Sequence, residues 1–171
     1  MQPDRAFVTP PRQGGGTARR AGVWLFPPTY ALHFGEEYLA GSGFPQWVER
    51  TLGIRFSTIE FVTWNALAFG LMCVAAWLVS RDAKHRFIEI ALSIAVLANV
   101  VVHVLASLAT WTYSPGVVTA ITIWMPLGLV RLRHAHEAAT RRGRLAGVCL
   151  GVAVLLVTLG VIVWTSVAGA M

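Results

Sequence analysis

Apolar residues run along this chain in long stretches broken by short polar ones. Four stretches stand out, Ile59–Val79, Phe87–Trp111, Gly116–Val130 and Leu145–Val167. They predict helices that cross a bilayer core of ~30 Å, the third being the shortest and carrying Pro126. An earlier segment, Gly22–Gly41, is also apolar at its flanks but shorter. Pro27-Pro28 fits best at a helix start, where proline needs no donor, which predicts a helix from Pro28 to Ala40. Either Val23–Phe26 completes a crossing or the segment enters only part way, and both require neighbouring protein to cover the backbone. The expected fold is all-α: a polytopic membrane helical bundle of about five segments, the first short or proline-broken. Residues 1–21, with Pro10-Pro11, Gly14-Gly15-Gly16 and four arginines, read as a disordered basic tail. The tail resembles the charged start of a signal peptide, but Pro27-Pro28 and the charges beyond it break that pattern. Residues 22–171 read as a single transmembrane domain. Gly41–Ser57 reads as a loop whose Phe44, Trp47 and Phe56 suit a membrane interface.

Composition agrees. The chain has 171 residues, is 56% hydrophobic and 13% charged, and has a mean hydropathy of +0.61; a soluble domain carries about 25% charge. The net charge of +6 points to topology and anionic lipid contact rather than nucleic acid, because the basic residues sit in short interhelical stretches. Lysine and arginine fall as 12 on one set of alternate sides and 2 on the other. This distribution places the N-terminus, Arg81–Arg86 and Arg131–Arg144 in the cytoplasm and the C-terminus outside. Cys73 and Cys149 stand alone in apolar runs and read as small buried residues, not a disulfide or zinc knuckle.

The candidate chemistry lies in Ala31-Leu32-His33-Phe34-Gly35-Glu36-Glu37-Tyr38-Leu39. On a helix, Glu36 and Glu37 fall roughly 60° to one side of His33 and 40° to the other, so an imidazole and two carboxylates share a face. Asn99, His103 and Ser107, four apart, form one stripe in an otherwise apolar span. With the topology above, these residues, Asn65 and Tyr113 all lie toward the outer leaflet. A charge near mid-bilayer costs on the order of 2.5–3.5 kcal/mol, and two adjacent carboxylates repel. A divalent metal relieves both, and imidazole with carboxylate suits zinc, iron or manganese. The expected ligands are His33, His103 and one or both of Glu36 and Glu37. The glutamate not spent on the metal would accept a proton, Asn99 and Asn65 would orient a ligand or substrate, and Tyr113 would donate from the rim. The competing reading is a hydrogen-bonded packing patch. Asn65 reads first as helix–helix glue, Glu60 and Glu89 as interfacial, His134 and His136 as loop residues outside any site, and Thr158 and Ser166 as packing residues.

The pattern His33-Phe34-Gly35-Glu36-Glu37, then Phe44-Pro45-Gln46-Trp47, Asn99-Val100-Val101-Val102-His103 and Tyr113-Ser114-Pro115-Gly116, resembles the bacterial membrane family named after its HxxEE motif. The resemblance implies a small integral protein of the bacterial inner membrane with a metal or catalytic site, and it carries no activity over. The leading expectation is therefore a membrane metalloenzyme performing hydrolysis or acid/base chemistry on a lipid or other hydrophobic substrate. The alternatives are a proton-coupled carrier and a non-catalytic membrane subunit.

Overall fold

A computed structural model of the chain describes residues 21–55 and 57–168, with backbone alone at 162, 163 and 165–168. The tail, Phe56 and the Ser166 side chain lie outside the described residues; Ala21, assigned above to the tail, already begins the first helical segment. No strand occurs among the described residues. A 3₁₀ turn, Gly22–Leu25, leads into α1 (Phe26–Leu39), followed by α2 (Phe44–Leu52), α3 (Thr58–Arg81) and α4 (Arg86–Thr110). A helical turn, Val117–Thr119, passes through a π-helical segment, Ala120–Trp124, into α5 (Met125–Ala138), and α6 (Arg141–Ala168) closes the chain.

Pro27 and Pro28 occupy the first turn of α1, where a missing N–H matters least. The 3₁₀ turn and α1 together extend about 29 Å from the rises of the two helix types. The stretch after α1, expected as a loop, contains a nine-residue helix instead. Its glycines are punctuation: Gly43 precedes α2 at φ 83° and Gly53 follows it at φ 69°, conformations that glycine adopts without strain. Ser57 and Glu60 cap α3 reciprocally, the Glu60 N–H donating to the Ser57 hydroxyl and the Ser57 N–H to the Glu60 carboxylate. Pro126 lies in the first turn of α5; it cannot donate to the carbonyl four residues back, and the widened π turn before it gives its ring room.

Among the described residues, three stretches are long and apolar enough to cross a membrane, Thr58–Arg81, Ala83–Thr110 and Arg141–Val161. The central one is α4. Against α6 it packs at Gly147 and Gly151, where added Cβ atoms would lie 2.7 Å from the Cβ of Ile90 and 2.9 Å from that of Ile94. Such small-xxx-small spacing brings helices together closely without large side chains. Against α5 it packs at Gly128, whose Cβ would fall 2.8 Å from Leu97 Cγ. Val23, Phe26, Met72, Ala76, Val79, Val96, Val100, Ala120 and Trp124 form one core joining α1, α3, α4 and the π segment. Much of the outer surface is apolar, with Leu39, Ile59, Leu71 and Leu145 all exposed.

Two expectations about charges need correction. Arg131–Arg144 is helical apart from Ala139 and Thr140, and Arg131 is buried in α5 rather than in a loop. Glu89 is not interfacial: it is fully buried, ion-paired with Arg131, and has Arg86 Nη1 at 3.7 Å from its other oxygen. Gly22 abuts the Arg131 guanidinium and leaves no room there for a side chain. His134 and His136 lie on α5 and are not among the residues gathered into a metal-capable group.

Candidate metal centre

His33 and Glu37 stand one turn apart on α1, and α4 brings His103 against them. One ligand atom from each lies within 4.8 Å of the others, and all three residues are buried. Both imidazoles turn Nε2 toward the same oxygen. His103 Nε2 is 3.1 Å from Glu37 Oε1 in a hydrogen bond. His33 Nε2 is 3.4 Å from that oxygen, is buried and has no hydrogen-bond partner. The rings stand edge to face, centroids 5.0 Å apart at 84°. The outward nitrogens meet hydroxyls: His33 Nδ1 is 2.8 Å from Thr119 Oγ1, and His103 Nδ1 is 3.1 Å from Ser114 Oγ.

The walls are aromatic. Trp124 lies over the His33 ring with centroids 3.9 Å apart, and Phe44 of α2 lies 5.8 Å from the His103 ring. Trp47 anchors α2 by donating its indole N–H to Thr112 Oγ1 at 3.1 Å. The closing turn between α4 and the π segment sets Gly116 directly on the group. A Cβ there would meet His103 Cε1 at 2.8 Å and both Glu37 Cγ and His33 Cε1 at 2.9 Å. Gly116 also holds φ at 99°, so this position is closed to any other residue on two counts.

Glu36 is not brought into the group. Its carboxylate faces the closing turn and accepts from the Tyr113 hydroxyl, from the N–H groups of Val118 and Thr119 at 3.0 and 2.7 Å, and from the Thr119 hydroxyl at 2.5 Å. Tyr113 thus meets Glu36 and not the His33–Glu37–His103 group. Ser107 accepts from the Ser114 N–H at 3.2 Å, which steadies the turn. Asn99 lies one turn along α4 from His103, its Oδ1 buried without a partner; the indole Nε1 of Trp124 is in the same condition. Asn65 accepts from the Tyr30 hydroxyl at 2.7 Å and donates to the Phe61 carbonyl, joining α1 to α3 as expected of helix–helix glue.

The sequence reading missed Thr119, Gly116, Trp124 and Ser114. Ser114 and Gly116 lie inside the turn motif already singled out. Thr119 and Trp124 sit in an apolar run, where nothing in the local pattern separates them from packing residues.

The family described as "Protein of unknown function with HXXEE motif" matches residues 24–131. That range contains His33, Glu36, Glu37, His103, the closing turn and Arg131. No solved structure matches the chain.

Proposed function

This chain belongs to the HXXEE family, and we propose that it is a membrane-embedded metalloprotein in which His33, Glu37 and His103 hold one divalent ion for a metal-dependent enzyme. The observation that carries the reading is the convergence of two imidazole Nε2 atoms on a single buried carboxylate oxygen. A buried carboxylate needs a counter-charge, and a bare nitrogen facing it favours a cation between them. Two histidines and a carboxylate fit zinc, iron or manganese and leave positions for a reactant. Thr119 and Ser114 give the two imidazoles the outer hydrogen-bond partners that metal-ligating histidines use.

A divalent ion in this place supplies Lewis acidity. The residues supply the rest. Trp124, Phe44 and Gly116 exclude water and hold the imidazoles in register. Glu37 Oε1 is the oxygen that both histidines face, which leaves Oε2 to accept a proton. Glu36, expected with Glu37 to supply either a ligand or the base, is engaged by four donors and is better suited to holding the turn. Asn99 Oδ1 and Trp124 Nε1, a buried acceptor and donor without partners, would orient a polar group of the reactant. The apolar surroundings favour a lipid or other hydrophobic substrate undergoing hydrolysis or a related acid/base step. The basic ends of α3, α5 and α6 would contact anionic headgroups on the cytoplasmic side.

Elemental analysis of protein extracted in mild detergent tests this. About one ion per chain is expected, lost in H33A, E37A and H103A. A protein without bound metal that also fails to take up zinc, iron or manganese refutes it. Flux across proteoliposomes driven by a pH gradient would favour a proton-coupled carrier instead, since buried His/Glu groups also relay protons.

A further inference from the structure

Two acids stand side by side in the motif, and only Glu37 reaches the histidines. The role of Glu36 follows from counting hydrogens. Its carboxylate receives two backbone N–H groups, from Val118 and Thr119, which can only donate; it also receives the Tyr113 and Thr119 hydroxyls. A carboxylate among four donors is acceptor-only. The single hydroxyl hydrogen of Thr119 therefore points to Glu36 Oε2, 2.5 Å away. The Gly116 carbonyl, at 3.2 Å, is a longer second acceptor for the same hydrogen.

His33 Nδ1 lies 2.8 Å from that same Thr119 oxygen. With its hydrogen committed, the hydroxyl can only accept there, so Nδ1 must carry the proton. In the neutral ring Nε2 is then bare. The surroundings of Nε2 agree: it lies 3.4 Å from Glu37 Oε1, is buried, and forms no hydrogen bond to it, whereas the Nε2 of His103, 3.1 Å from the same oxygen, does.

We infer that Glu36 is a positioning residue which, through the Thr119 hydroxyl, holds His33 in the Nδ1–H tautomer and presents Nε2 as a bare ligand nitrogen opposite Glu37. The adjacent acids divide the work: Glu37 faces the ion and Glu36 sets the proton on the imidazole that shares it. The same four hydrogen bonds pin the turn that carries Gly116 over the group, so tautomer and closure are set by one carboxylate. The inference rests on the metal reading only for its consequence for affinity; the tautomer stands apart from it.

Two measurements test it. In metal-free protein labelled with ¹⁵N-histidine, with the His33 signals assigned by their loss in H33Q, the nitrogen shifts recorded at a pH where the ring is neutral should place its one proton on Nδ1. A neutral ring that carries its proton on Nε2 overturns the inference. The second measurement is Zn²⁺ affinity, titrated against a chelator, in wild type, T119V and T119S. T119V keeps the backbone N–H to Glu36 and loses the hydroxyl, so affinity should fall roughly 10- to 100-fold, the usual effect of removing an outer partner, with helix content unchanged; T119S should restore it. Equal affinity in wild type and T119V leaves the metal reading standing and refutes the relay. A neutral Nδ1–H ring in a protein that binds no ion does the reverse.

Discussion

Replacing Gly116 by alanine keeps the three proposed ligands in the chain but crowds all of them, and the structure sets the size of the effect. The added methyl would lie 2.8 Å from His103 Cε1 and 2.9 Å from Glu37 Cγ and His33 Cε1, well inside van der Waals contact. All three neighbours are buried, and two are braced from behind by Thr119 and Ser114. None is the free end of a flexible chain, so the turn must lift. Overpacking of this kind costs about 1–3 kcal/mol. The backbone adds a second term, because φ of 99° is unfavourable for an L-residue by roughly 1–2 kcal/mol. Together they amount to about 2–5 kcal/mol, or a fall in Tm of order 4–20 °C. The control is Gly35→Ala, inside the same motif. Nothing lies within 4 Å of its Cβ, and removing a mid-helix glycine should stabilise by roughly 0.5–1 kcal/mol. Thermal unfolding in one detergent, with metal content measured on the same samples, should therefore separate the pair: G116A destabilised and metal-poor, G35A at least as stable as wild type and fully loaded. If G116A keeps wild-type Tm and metal content, the turn does not close over the group as described.

Further outcomes follow from the rest of the bundle. Glu89→Gln removes the buried carboxylate that Arg131 faces and should destabilise by about 3–5 kcal/mol. Because Glu89 lies some 21 Å along α4 from His103, metal content per folded chain should not change; a parallel loss of metal would mean that the two ends are coupled. Gly147→Leu cannot fit against Ile90 and the Phe87 carbonyl and should separate α6 from α4, read as a lower Tm with the ion retained. Trp47→Phe removes the hydrogen bond to Thr112 and should cost about 1 kcal/mol, seen as earlier melting. For topology, protease should cut at the Ala139–Thr140 break only from the cytoplasmic face of vesicles, and cutting from the outer face alone would invert the proposed orientation.

Much of the architecture was readable because apolar run length and proline position are local properties. The boundaries of α3 and α4, and the placement of Pro27 and Pro28 in the first turn of α1, needed no tertiary information. The convergence of His33, Glu37 and His103 was also accessible, since His33 and Glu37 share a helix face and His103 falls at a matching depth. What failed was local evidence with two meanings. Glycines at 43 and 53 with Pro45 look like a loop, yet they bracket a helix. Glu36 and Glu37 have nearly equal angular claims on His33, and the choice between them is made by Tyr113 and Thr119, far away in sequence. Arg131 and Glu89 each looked like a charge at the end of a span. Only their pairing across 42 residues reveals a buried ion pair. The four-residue spacing of Gly147 and Gly151 was a legible signal of close helix contact that run length alone does not register.

The centre also has a schedule. His33 and Glu37 are made early, but the groups that satisfy them are 66 residues further on for His103 and 86 for Thr119. At ribosomal speeds of about 5–20 residues per second, that delay is roughly 3–17 s. Throughout it, the first segment emerges carrying an imidazole and two acids with nothing to answer them, and apolar lipid is a poor place to wait. In a chain inserted into a membrane as proposed, α1 would wait at the headgroup level or within the insertion machinery until α4 and its turn arrive, so a helix made before α3 and α4 would be seated after them.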